Sequence, residues 1–134
     1  MAITKDFNRQ DLKVATVEIS LAQVTTATDL AAISLPPNSV IVSGQAITTE
    51  AWNSTSTDVL DVGDVTTQNR YLNDGNIRSL GALVALVPTG FITTGTQPDV
   101  TVRWTSGGGT PTTGKVRLTI QYYVIGRAED TYGS

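Results

Sequence analysis

An all-β fold, an antiparallel β-sandwich with short arms at both ends, is what this sequence predicts, and three observations carry the prediction. The stretch Lys115 to Ile125 reads K-V-R-L-T-I-Q-Y-Y-V-I, with Val116, Leu118, Ile120, Tyr122 and Val124 on one side and Lys115, Arg117, Thr119, Gln121 and Tyr123 on the other. That is the period-2 alternation of a half-buried strand. The same grammar recurs in short runs, seven to nine of them, separated by Gly, Pro, Asn and Asp. No stretch carries a convincing amphipathic helix, so a sandwich or barrel is the remaining way to bury these faces.

The elements follow in order. Residues 1–11 are polar around an isolated Phe7 and read as an arm; the sandwich is expected over 12–126 and a tail over 127–134. Leu12 to Leu21 alternates, with Ala15, Val17, Ile19 and Leu21 facing one way, and is the first strand. Leu30 to Leu35 is a short apolar run stopped by Pro36-Pro37-Asn38-Ser39, a turn cluster. Val40 to Trp52 resumes in β-branched residues; Gly44 within it suggests a bulge or bend, so the stretch reads as one strand or two. Asn53 to Thr57 is a polar loop and Val59 to Val62 a strand. Gly63-Asp64 turns the chain toward Arg70-Tyr71-Leu72, and Asn73-Asp74-Gly75-Asn76 signals another turn. Between Ile77 and Val87 the apolar residues also fit helical spacing, but Gly81 and Pro88 favour a strand at Ala82 to Val87. Phe91 to Thr94 and Val100 to Thr105 complete the series, and Ser106 to Gly114 is expected as a flexible loop before the final strand.

Composition limits what the chain can do. At 134 residues it is the size of one domain, large enough to bury about two thirds of its unfolded surface. Charged residues make up 16%, below the roughly 25% of an average protein, and the net charge of −3 is scattered without runs, so nucleic acid is not an expected partner. No apolar stretch approaches the roughly 18 residues of a membrane span, and charges stand near the N-terminus where a signal peptide needs an apolar core; synthesis in a cytoplasm without membrane insertion is the expectation.

With no His and no Cys, Ser-His-Asp and Cys-His arrangements and His- or thiolate-based zinc sites are excluded. Asp58, Asp61 and Asp64 stand at three-residue spacing, but on a strand Asp58 and Asp61 point to opposite faces and no calcium-loop spacing is present, so strand-end turn acids are expected rather than a metal or glycosidase pair. Gly109 to Lys115 matches G-x-x-x-x-G-K, yet Val116 replaces the magnesium-binding Ser or Thr and a strand, not a helix, follows. Asn53-Ser54-Thr55 fits a glycosylation pattern that has meaning only in a secretory protein. Trp52, Trp104, Tyr71 and Phe91 are expected in the core, with an aromatic platform for sugar as the alternative. No cofactor, metal or catalytic residue is expected.

The succession Leu35-Pro36-Pro37-Asn38-Ser39-Val40, Val62-Gly63-Asp64, Arg70-Tyr71-Leu72 and the closing strand from Gly114 to Tyr123 resembles the capsid decoration, or cement, proteins of tailed bacteriophages. The resemblance spans roughly Ala15 to Gly126 and includes no catalytic signature. It implies a jelly-roll or related sandwich, assembly as a trimer, and a place on the outside of the virion head across joints between copies of the major capsid protein. A carbohydrate- or receptor-binding virion module is the alternative, and a carboxylate glycosidase a more distant one. Candidate capsid or subunit contacts are Phe7, Arg9, Arg127 and Tyr132, isolated aromatic and basic residues in the two terminal segments.

Overall fold

The computed structural model describes residues 11–95 and 99–126. Eight strands are present: β1 (Lys13–Ser20), β2 (Thr28–Ser34), β3 (Ser39–Glu50), β4 (Asp58–Gly63), β5 (Leu72–Asn76), β6 (Leu83–Ala85), β7 (Asp99–Ser106) and β8 (Lys115–Val124), with one 3₁₀ turn at Leu21–Gln23. They form two four-stranded antiparallel sheets, ordered β1-β8-β3-β6 and β2-β7-β4-β5. This order is that of an eight-stranded jelly roll, a double-sheet sandwich.

The alternation read from sequence sets the core. On β8, Val116, Leu118 and Ile120 are fully buried; β1 gives Ile19, β7 gives Val100, Val102 and Trp104, and β4 gives Leu60 and Val62. Register ties these rows together: Leu118 pairs with Val17 on one side and Ala46 on the other, and Trp104 pairs with Leu60. Trp52 and Trp104 meet across the core with ring centroids 5.2 Å apart. Gly114, just before β8, is required by this packing, since a Cβ there would overlap the Trp52 ring.

Three local expectations change. The stretch from Val40 holds one strand, not two, and that strand ends at Glu50; its register shifts between Ile41 and Ser43 and between Thr48 and Glu50, so the bulge lies beside Gly44 rather than on it. Gly44 serves packing, because a Cβ there would stand 2.6 Å from Leu86 Cδ1. Asn73 to Asn76 does not turn the chain: it is strand β5, where Leu72 pairs with Val62 and Gly75 with Leu60. The extra residue makes a bulge around Asp74, which holds a left-handed φ of 53°, a conformation that Asp adopts in turns as well. Phe91 to Thr94 is reduced to a single bridge, Ile92 to Val40.

Candidate interaction surface

Phe7, Arg9, Arg127 and Tyr132 lie outside the described residues. Within them, the polar chemistry falls into two buried networks and one exposed sheet face.

The loops Asn53 to Thr57 and Ser106 to Gly114, far apart in sequence, form one cap at an end of the sandwich. Thr55 N–H donates to Gly108 C=O at 2.9 Å and Gly107 N–H to Thr57 C=O at 2.6 Å. Asn53 accepts from the amides of Thr112 and Thr113 at 2.8 and 3.1 Å. The loop expected to be flexible is therefore stapled to its neighbour, because each supplies the backbone partners the other lacks. Under the cap lies Asp58, 1% exposed, whose carboxylate accepts from Ser54 N–H at 3.3 Å, Trp104 Nε1 at 3.0 Å and Arg78 Nη1 at 3.0 Å. Arg78 also donates to Ser54 C=O at 2.6 Å. Both oxygens are taken by donors, so this buried carboxylate is a structural tie.

Asp61 and Asp64 do different work. Asp61 points away from the core, as its position opposite Asp58's parity requires, and accepts from the bulge amide of Asp74 at 2.6 Å. Burial pushes its pKa up; the Asp74 amide opposes this and the Asp74 carboxylate adds to it. Asp64 caps the turn after β4, accepting from the amides of Thr66 at 3.0 Å and Thr67 at 2.8 Å and pairing with Arg70. Burial alone would raise its pKa, but Arg70 and those amides outweigh burial and hold it below the ordinary value. Arg70 lies over the Phe91 ring, 3.6 Å from its centroid, and so clips residues 91–93 onto the turn. Behind this clip the Tyr71 hydroxyl has its pKa raised by burial and by Asp64. Among the described residues no group of three metal-ligating side chains converges. Trp52, Trp104 and Tyr71 are all buried, so the aromatic platform for sugar is not formed.

The two outer faces of the sandwich differ. That of β2-β7-β4-β5 carries Asp29, Arg103, Asp61 and Asp74, with an Arg103–Asp29 ion pair at 2.7 Å. That of β1-β8-β3-β6 carries Glu18, Arg117 and Lys115 toward one end and polar uncharged rows beyond them. Thr16, Thr119 and Gln45 form one cross-strand row; Val14, Gln121 and Ser43 form the next. Leu12, Val14, Val42 and Leu83 stand exposed. A shallow depression of about 230 Å³ at the β3 bulge is lined by Ser43, Gly44, Gln45, Thr119 and Gln121, with Ser43 Oγ donating to Gln121 Oε1. Away from the Glu18–Arg117–Lys115 end, the face is one of amides, hydroxyls and scattered aliphatic groups.

No protein-family model matches the chain, and no curated protein matches it. Solved structures do match. A chain in the capsid asymmetric unit of cyanophage Pam1 superposes with a TM-score of 0.70 at 20% identity, over 92% of each chain. A chain of the capsid of Ralstonia phage GP4 gives 0.67 at 19% identity, covering 95% of this chain and 93% of that one. A third, from the acid-stable capsid of Helicobacter pylori bacteriophage KHP30, gives 0.63 at 16% identity, covering 84% and 87%. Coverage is high in both directions, so the matched chains are of similar length, and the likeness is of whole chain to whole chain. What is shared is the fold.

Proposed function

We propose that this chain is a non-enzymatic structural protein of a tailed-phage virion, placed on the outside of the head, where it decorates the major capsid protein and stabilises its joints. The observation that carries the reading is the whole-chain likeness to capsid chains of three phages. The structure suits the role. Loops are tied down at both the Asp58 cap and the Arg70–Phe91 clip. Self-association, as a trimer, belongs to the same reading, since several weak contacts acting together at a symmetric position give avidity. In this account residues 1–11 and 127–134 are arms flanking the sandwich, with Phe7, Arg9, Arg127 and Tyr132 as their contact points.

The test uses heads assembled without this chain. Purified full-length protein is added, heads are pelleted, and bound protein is measured against concentration. Saturable binding, together with a higher disruption temperature of the decorated heads, is expected. No co-sedimentation at tens of micromolar would reject the reading. Deleting Met1 to Gln10 tests the arms: loss of head binding or of trimers is expected, with the far-ultraviolet spectrum unchanged.

A further inference from the structure

The sandwich has two long sides, and among the described residues only one is closed. On the β5–β6 side, the chain crosses between the sheets and covers its own core: Ile77 is fully buried, Tyr71, Leu72 and Leu86 nearly so. Backbone bonds seal it, from Leu86 N–H to Gly44 C=O at 2.9 Å and from Val87 N–H to Tyr71 C=O at 2.8 Å. The β1–β2 side is different. Each strand is the end of its sheet, β1 paired only with β8 and β2 only with β7 among the described residues. Of the eight apolar residues that pack on the core while still partly exposed, six lie here: Ala15, Val17, Leu21, Val24, Leu30 and Ala32.

Free edge strands offer unpaired backbone groups to another chain, and proteins ordinarily cover or blunt them. Here the two edges are eight and seven residues long. That is about 25 Å of strand edge, lying along an apolar strip.

We infer that a second copy of this chain covers the β1–β2 side, β1 of one copy lying against β2 of the next. Two features favour a copy over a foreign surface. One molecule carries both halves of the joint, two edges of matched length on the same side that have no neighbouring strand among the described residues. Charge is also sparse: along Lys13 to Ser34 the only charged side chains are Lys13, Glu18 and Asp29, and Asp29 is already paired with Arg103, so a strongly charged partner would find little to pair with. Where β1 and β2 of one copy serve different neighbours, the contact is heterologous, and it makes a ring when the rotation between copies closes. The inference deepens the self-association reading and rests on it.

The sequence has no cysteine, so single thiols can be introduced cleanly. Ala15→Cys and Ala32→Cys place one on each edge; Ala51→Cys, on an exposed loop residue, is the control. Full-length variants are mixed at micromolar concentration and treated with a short bis-maleimide cross-linker. The Ala15→Cys plus Ala32→Cys mixture is expected to give the mixed dimer at least about tenfold faster than either variant gives with the control. Dilution to nanomolar should abolish the difference. Equal rates, in chains that sedimentation shows to be oligomeric, overturn the joint while leaving self-association intact. Cross-linking of Ala15→Cys only to itself overturns the β1-on-β2 arrangement. A wild-type chain sedimenting at 14.2 kDa at every concentration overturns both.

Discussion

Two sides of one sandwich, built from strands of the same alternating grammar, end in opposite conditions. The β5–β6 side is closed by the chain's own crossing, with Ile77 and Leu86 sealed under backbone hydrogen bonds; the β1–β2 side leaves Val17 and Leu30 half-covered and two strand edges without a neighbour among the described residues. The difference teaches that burial in this fold follows position in the sheet more than residue type. Val17 and Leu118 are cross-strand partners on the same face, yet Leu118 has strands on both sides and Val17 has one.

The largest expected effect is at the tie that holds the closed side to the cap. Asp58→Ala removes the acceptor of Arg78, Trp104 and Ser54 together and should cost about 3–5 kcal/mol, because breaking a buried pair strands its partners. Urea unfolding checks it; a cost under about 1 kcal/mol would mean that water replaces the carboxylate. Next comes a direct comparison of the two sides. Ile77→Ala should cost about 2–5 kcal/mol, as full burial dictates. Leu30→Ala should cost only about 1 kcal/mol in dilute solution, where its side chain is half in water. Equal costs would erase the distinction between the sides.

Smaller effects separate Asp61 and Asp64. Asp64 has a depressed pKa in the native state, so its contribution is present above the ordinary Asp value near 4 and is lost as pH falls below it toward the native pKa. Asp64→Asn should lower stability at pH 7 by about 1–2 kcal/mol and flatten the acid limb of the stability–pH curve. Asp61 has the opposite sign. Its raised pKa means that the native state takes up the proton more readily, so ionisation at neutral pH costs stability that is recovered on acidification. Asp61→Asn keeps an acceptor for the Asp74 amide and removes the charge; its effect at pH 7 should lie within about 0.5 kcal/mol, on the stabilising side. Thermal unfolding from pH 3 to 8 reads both variants.

Much of the fold was legible because alternation is local. β1, β7 and β8 stand where period-2 runs place them, and Trp52, Trp104 and Tyr71 are core residues as expected, whereas Phe91 is half-buried under Arg70. The misreadings share a cause: they depend on a partner strand. The bulge beside Gly44 is defined by β8's register, and the bulge at Asp74 by β4, so neither has a signature of its own. The stapling of Asn53 to Thr112 spans 59 residues and is invisible to any local window. For the interaction surface, the sequence pointed to the terminal segments, which lie outside the described residues. It missed the open side because Ala15, Val17, Leu30 and Ala32 look like any other inward-facing run until the strand order is known.

Hydrogen exchange of backbone amides, measured on the full chain from nanomolar to micromolar concentration, tests the contrast between the sides most directly. The account predicts that β3 and β8 stay protected throughout, while the unpaired amides of β1 and β2 exchange fast when dilute and gain at least about tenfold protection on association. Protection of the β1 and β2 edges that is already complete at nanomolar concentration, in chains that sediment as monomers, would contradict it.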